Sequence, residues 1–513
     1  MLRKFRISLA LIFFCGITLL FLDFTGLAQK YLGWMAKIQF LPALLALNAG
    51  VIIALVVLTL LSGRVYCSTI CPLGVMQDIF AWFGKQAKRN RYSFSKARNI
   101  WRYTFLGIMT AAIIFGIGSI VALLAPYSAY GRIAQNLIAP IWAWGNNILA
   151  DIAEHFESYT FYSTDIWIRS IPTFTIAIAT LVILGILAWR NGRTYCNTIC
   201  PVGTLLGFLS RFSLLRPVID ISKCNSCGSC SRNCKGACIN SKEHRIDYSR
   251  CVACMDCIDR CSRGAISYTW GYKKDSACGA KQHAVAPHER DAAAKEASPS
   301  PADGGRREFL TASLAIGAST LIRAQQKMVD GGLAVIVEKK SPKRSTPIVP
   351  PGAISLRHLT NHCTGCQLCV AACPNGVLRP SGDLETLMQP RSSYERGYCR
   401  PECTRCSEAC PSGAIINIDK AEKSSIQVGH AVWIKENCIP LTDGVACGNC
   451  ARHCPSGAIT MVAADPENTD PYAPEIPVVN EERCIGCGAC ENLCPARPFS
   501  AIYVEGHENH KTI

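Results

Sequence analysis

The chain has 513 residues, 31 of them cysteine, and a formal net charge of +16. That many cysteines in so long a chain argues against a disulfide scaffold, which belongs to short secreted proteins. The excess positive charge flanks apolar runs and does not form a basic, aromatic-studded stripe on a soluble domain, so nucleic acid is not an expected partner.

Apolar runs at roughly 7–26, 40–62, 103–125 and 171–189 each approach the ~20 residues that a bilayer core requires. The first follows Met-Leu-Arg-Lys-Phe-Arg like a signal peptide, but no small-residue cleavage site follows it, so an uncleaved helix is expected. The segment 62–102 carries Arg64, Lys85, Lys88, Arg89, Arg91, Lys96, Arg98 and Arg102. The segment 126–170 has only Arg132 and Arg169, beside Asp151, Glu154, Glu157 and Asp165. The positive-inside bias then puts both ends of a four-helix unit (residues 1–215) on the cytoplasmic side of a bacterial inner membrane, in contact with lipid, with 126–170 outside.

This unit contains a repeat. Gly63-Arg-Val-Tyr-Cys67-Ser-Thr-Ile-Cys71-Pro72-Leu-Gly74 recurs as Gly192-Arg-Thr-Tyr-Cys196-Asn-Thr-Ile-Cys200-Pro201-Val-Gly203, each copy just after an apolar helix. A twofold-related pair of helices would bring Cys67, Cys71, Cys196 and Cys200 together as candidate redox thiols. Buried thiols in two structural turns would look the same in sequence, and no catalytic residue is identified. None of the ten histidines lies in the apolar runs, so haem held by two histidines within a bilayer is not expected. Cys-x-x-Cys-His and Gly-x-Gly-x-x-Gly after a strand do not occur, so neither c-type haem nor a dinucleotide is indicated.

Six cysteine tetrads follow: Cys224/Cys227/Cys230/Cys234 and Cys251/Cys254/Cys257/Cys261 in residues 216–271, then Cys363/Cys366/Cys369/Cys373, Cys399/Cys403/Cys406/Cys410, Cys438/Cys447/Cys450/Cys454 and Cys484/Cys487/Cys490/Cys494 in residues 346–513. Each closes with Cys-x-x-Cys-x-x-x-Cys, the bacterial ferredoxin spacing, in which three thiolates hold one [4Fe–4S] cube and the remote fourth usually ligates its neighbour. A zinc ribbon would separate its cysteine pairs by a longer loop. Six cubes, with these cysteines as iron ligands, make the chain a carrier of single electrons. Pro374, Pro411, Pro455 and Pro495 follow the last four tetrads, whereas Lys235 and Ser262 stand after the first two. Cys238 is a competing ligand beside Cys234. Short hairpins and single-turn helices are expected around the tetrads.

Residues 272–305 have linker composition. Residues 306–345 open with Arg306-Arg307-Glu308-Phe309-Leu310 before a weak apolar stretch to Ile322, a twin-arginine export pattern and a candidate fifth anchor. Arg323, Lys327, Lys339, Lys340, Lys343 and Arg344 argue against translocation. A buried helix in a cytoplasmic domain is the alternative.

Residues 1–270, with the paired Cys-x-x-x-Cys-Pro motifs and the double ferredoxin tail, resemble the NapH-type membrane ferredoxins of periplasmic nitrate reductase systems. From about residue 305, Arg306-Arg307, Pro350-Pro351-Gly352-Ala353, the four tetrads and Val428-Gly429-His430-Ala431-Val432 resemble the NapG/MauM-type ferredoxins. The two resemblances together imply a natural fusion: a membrane α-helical bundle plus α+β bacterial polyferredoxin domains, serving as a quinol dehydrogenase component. Such a component passes electrons from quinol through [4Fe–4S] clusters to a periplasmic reductase or cytochrome, with the C-terminal domain periplasmic. The resemblance also implies that the first and fourth C-terminal tetrads pair around an inserted lobe formed by the second and third; adjacent pairing is the simpler alternative. Rival readings are a polyferredoxin for metal reduction or maturation of a respiratory enzyme, and a conduit to a cytoplasmic partner.

Overall fold

The computed structural model describes residues 2–23, 25–87, 92–158, 160–271, 337–465 and 473–513. The linker at 272–305, the Arg306-Arg307 pair and the segment as far as residue 336 lie outside the described residues.

Two of the four apolar runs form full-length helices, Leu2–Leu22 and Ile171–Asn191, each 21 residues and apolar enough to cross a bilayer. At 1.5 Å per residue each is about 30 Å long, the thickness of a hydrocarbon core. Asp23 ends the first, because its carboxylate accepts hydrogen bonds from the backbone N–H groups of Thr25 (2.8 Å) and Ala28 (2.7 Å).

The other two runs are divided, so helix length alone does not establish four spans. In the 40–62 run, Leu47 turns left-handed (φ 53°) and the Asn48 side chain caps the helix that follows, leaving Phe40–Leu45 and a 14-residue helix Ala49–Ser62. In the 103–125 run, Gly116 (φ 70°) separates Asn99–Ile114 from Gly118–Leu124. Apolar composition continues through both breaks, which is why periodicity does not reveal them. Residues 126–155 form one helical path (Pro126–Ile133, Ala139–His155) with a π-helical turn at Ala134–Ile138. Pro140, lacking an N–H, loosens the hydrogen-bond ladder there.

The two tetrads after the helical region fold into a compact unit closed by antiparallel strands Leu215–Ile219 and Ile266–Trp270. It docks where the first long helix begins and the second ends. Arg3 pairs with Asp256 (2.8 Å) and Asp259 (3.2 Å). Asp78 accepts ion pairs from Arg193 (2.8 Å), Arg6 (3.1 Å) and Lys235 (3.5 Å), and Lys235 also reaches Asp256 (3.1 Å). Burial would raise the Asp78 carboxyl, but Arg193, Lys235 and Arg6 outweigh it and hold the group well below the usual carboxylate range. Lys235, which stands where ferredoxin spacing expects proline, is therefore the clamp between this unit and the helices.

The four-tetrad unit docks at the opposite ends of the same two helices. Ser128 Oγ donates to Thr364 O (2.5 Å), Asn136 Nδ2 to Gln367 Oε1 (2.9 Å), and Arg169, just before the second long helix, to Val370 O. Arg405 donates to Thr25 O (3.0 Å), just past the end of the first. Strands Ile426–Trp433 and Ile502–Thr512 pair antiparallel in this unit, with Val504 opposite Ala431. Buried Glu491 ties them to its lead-in, accepting from Arg344 Nη2 (2.5 and 2.7 Å) and from Val504 N (2.9 Å).

Replacing Asp78 with Asn leaves three buried cations short of an anion. Removing one partner of such a network costs about 3–5 kcal/mol. Asp78→Asn should therefore lower the unfolding midpoint in detergent and expose residues 216–271 to protease, whereas Asp220→Asn, at the surface, should do neither. On the second strand pair, burial, with His507 nearby, lowers His510 to about 4. A depressed histidine contributes stability that is complete above its unfolded value near 6.5 and is lost as pH falls toward 4. Denaturant melts of the wild type should lose stability across that window more steeply than those of His510→Gln.

Candidate iron–sulfur centres

Each tetrad follows one local plan. The first two cysteines lie on irregular chain and the third sits in a single helical turn: Ser229–Arg232, Asp256–Asp259, Leu368–Ala372, Arg405–Ala409, Asn449–Arg452 or Ala489–Leu493. Gly486 (φ 71°) shows why glycine is needed here. A Cβ on it would fall 2.7 Å from the backbone N and O of Gly429 on the adjacent strand.

The fourth cysteine of each tetrad turns away from its own three. Cys261 lines one hollow with Cys224, Cys227 and Cys230, and Cys234 lines another with Cys251, Cys254 and Cys257. Cys410 faces Cys363, Cys366 and Cys369, while Cys373 faces Cys399 and Cys406, whose neighbour is Cys403. Cys454 joins Cys484, Cys487 and Cys490, and Cys494 joins Cys438, Cys447 and Cys450. Within the C-terminal unit, first therefore pairs with second and third with fourth. The nested pairing implied by resemblance is overturned. The hairpins between partners, Leu378–Pro380 with Pro390–Ser392 and Ile459–Ala463 with Glu475–Val479, are too short to bring together anything but sequence neighbours.

The residues present fit cubes in two further ways. The remote thiols accept backbone N–H groups from the turn that follows them: Ala265 to Cys261 (3.2 Å), Ile415 to Cys410 (3.4 Å), Ala458 to Cys454 (3.3 Å) and Ala501 to Cys494 (3.3 Å). Such bonds favour the thiolate that ligates iron. Among the described residues, no three His, Cys, Asp or Glu side chains converge tightly enough for a single metal ion. A polynuclear cube spreads its ligands wider than that. Cys238 sits inside the Cys234 hollow, its sulfur 3.4 Å from that of Cys234, so five thiols face one site.

The centres form a series. The Cys363 centre abuts the helices: the backbone at Cys366 packs on Gly131, and the buried Tyr127 faces Cys366 and Cys410, its hydroxyl without a partner among the described residues. The Cys399 centre comes next, because its run gives Cys410 to the first centre and takes Cys373 in return. It touches the Cys484 centre, Cys399 N donating to Cys487 O (2.9 Å), with Tyr394 packed on Gly488 and donating to Gly486 O (2.7 Å). The Cys438 centre is last.

In the helical region, Cys67, Cys71, Cys196 and Cys200 are all buried within one core that also holds Val252. Cys200 faces the other three. Sequence spacing singles these cysteines out but not Arg64, Arg193 and Gln77, which surround them; the repeated Gly-Arg step is the signal that points to both arginines.

Comparison with known proteins agrees with this geometry. A 4Fe-4S dicluster domain model matches residues 362–432 and 445–497, one copy per adjacent pair of tetrads. A 4Fe-4S binding domain model matches 44–91 and 171–220, the two halves of the helical repeat. The methylamine utilization ferredoxin-type protein MauM of Paracoccus denitrificans is 34% identical over 170 residues, 32% of this chain and 73% of that protein. The chain belongs to the MauM/NapG family of ferredoxin-type proteins. MauM of Methylorubrum extorquens is 33% identical over 210 residues (39% of this chain, 87% of that protein), and the ferredoxin-type protein NapG of Escherichia coli 31% over 205 (37% and 81%). No solved structure matches. As a member of this family the chain is an iron–sulfur, ferredoxin-type electron-transfer protein.

Crosswise ligation predicts a non-additive loss of iron. Cys487→Ala should cost about four iron, and adding Cys454→Ala should cost little more, because both serve one cube. Pairing Cys454→Ala with Cys447→Ala should cost about eight. Iron analysis of the three proteins distinguishes this pairing from ligation within each run.

Proposed function

We propose that this protein takes electrons from the quinol pool of a bacterial cytoplasmic membrane and delivers them, through six [4Fe–4S] clusters, to a periplasmic redox partner such as a reductase or cytochrome. The observation that carries the reading is the docking of the two ferredoxin units at opposite ends of two bilayer-length helices. The longer apolar faces favour lipid around those helices: Ile178, Val182, Ile183 and Ile186 of Ile171–Asn191 are exposed. A conduit serving a cytoplasmic partner alone would have no use for centres at both ends.

A quinol releases two electrons and two protons to become quinone, and each bound cube supplies a one-electron acceptor. What the chain contributes is order. It fixes four centres in line from Cys366, against the helices, to Cys447 at the far end. It buries Cys363, Cys366 and Cys369 at the centre against the helices, and it supplies N–H groups to the remote thiols Cys261, Cys410, Cys454 and Cys494. Leu441 and Val445 are exposed beside the last centre, where a partner protein would receive the electron.

Anaerobically purified protein should contain at least about 24 iron and 24 labile sulfide per chain. Reduced quinol analogue should bleach its visible absorption. Protease added to spheroplasts should digest residues 346–513 in the wild type and spare them when Arg306 and Arg307 are both lysine. Equal protection of both proteins, or no bleaching by quinol, would overturn the assignment.

A further inference from the structure

Each half of the helical repeat ends in a pair of cysteines, and the two halves meet face to face. Arg64 Nη2 donates to Cys196 O (3.2 Å), and Arg193 Nη1 donates to Cys67 O (2.7 Å), so each half holds the other by the same contact. The motif glycines make this approach possible. A Cβ on Gly74 would lie 2.2 Å from Cys67 O, and one on Gly203 would lie 2.3 Å from Cys196 O. Gly63 and Gly192 turn left-handed (φ 67° and 68°) to lead into each motif.

Two observations suggest that something anionic belongs among these thiols. Arg64 is fully buried, yet among the described residues no carboxylate pairs with it; it is held by Asn197 Oδ1 (2.8 Å) and Ser249 O (3.2 Å). Arg193 shares Asp78 with Arg6 and Lys235. Buried cations in such surplus are costly without nearby negative charge. The sulfurs are also already met by donors: Gln77 Nε2 lies 3.3 Å from Cys196 Sγ, Gly203 N lies 3.3 Å from Cys200 Sγ, and Arg64 Nη2 lies 3.8 Å from Cys67 Sγ.

The place matters as much as the chemistry. On one side the quartet shares its core with Val252 and Cys254 of the inner ferredoxin unit. On the other, Tyr195, adjacent to Cys196, faces Arg132, and Gly131 packs on the backbone of Cys366 in the outer unit.

We propose that Cys67, Cys71, Cys196 and Cys200 together bind a seventh iron–sulfur cluster, shared by the two halves of the repeat, which relays electrons between the inner pair of cubes and the outer four. The four thiols are too spread for a single ion, so the ligand is a polynuclear cluster, with Arg64 and Arg193 balancing its net negative charge. One electron enters from a neighbouring cube and one leaves to the next, with no bond made or broken. The relay rests on the electron-transfer reading above, but the site does not depend on quinol being the donor.

The test uses the full-length protein, purified without oxygen and reduced with dithionite, which bypasses quinol. The wild type should carry two to four iron more than the six tetrads account for. Cys67→Ser/Cys196→Ser should lose that increment and one electron paramagnetic resonance signal while keeping about 24 iron. Gln77→Leu keeps every thiol; it should keep the iron content but shift the same signal to lower potential, through loss of an N–H···S bond. Should the double variant misfold and shed other iron, Gln77→Leu decides the matter. Iron and signals unchanged in the double variant, or a signal whose potential in a redox titration is unshifted in Gln77→Leu, would overturn the proposal. So would a wild type with no iron beyond the six tetrads, or one that gains two free thiols on reduction, which would make the quartet a dithiol pair.

Discussion

The arrangement rests on an exchange: the fourth cysteine of every ferredoxin run lies with the first three of its neighbour. The exchange does more than hold iron. It makes two runs one folding unit and fixes the separation of two redox centres. It also converts a small apolar core, such as the one around Val377, Val428 and Val504, into a stable body through ligation. Adjacent runs exchange because the hairpins between them are short. The linear order from Cys363 to Cys438 follows from that local rule plus one contact, at Cys399 and Cys487.

The second determinant is electrostatic. The two-tetrad ferredoxin unit is joined to the helices by a cluster of charges around Asp78 and Asp256, with Val252 in their core and Arg64 and Arg102 donating to Ser249. Buried ion pairs contribute little net stability compared with apolar packing, but they are unforgiving of wrong partners. Three cations of different origin (Arg6 from the first helix, Arg193 from the second repeat, Lys235 from the ferredoxin tail) must all arrive at one carboxylate, which fixes the docking register. The four-tetrad unit is joined by side-chain hydrogen bonds from Ser128, Asn136 and Arg169 to the backbone and Gln367 side chain around its first centre.

Much of this was legible in the chain. Cysteine spacing identifies the tetrads because ligation geometry dictates the spacing directly. The duplicated Cys-x-x-x-Cys-Pro motif marks the quartet by its repetition, but the same motif fits either bound thiolates or buried thiols in two structural turns. What spacing could not reveal depends on partners distant in sequence. Lys235 reads as a missing proline until Asp78 stands beside it. The pairing of the C-terminal runs depends on how hairpins fold back, and family resemblance pointed the wrong way. The helix breaks at Leu47 and Gly116 are backbone events inside uniformly apolar sequence, where hydropathy has no contrast to offer.

The reciprocal grip of Arg64 on Cys196 and Arg193 on Cys67 has the form of an isologous contact, in which residue i meets j and j meets i. That is the geometry of a symmetric dimer carried within one polypeptide. Two copies of a single half could make the same contact, whereas one half alone supplies only two thiols and an arginine with nothing to hold. The covalent link therefore guarantees that the halves are always present in equal number and lets them diverge even where they meet, as Asn197, which holds Arg64, has from Ser68.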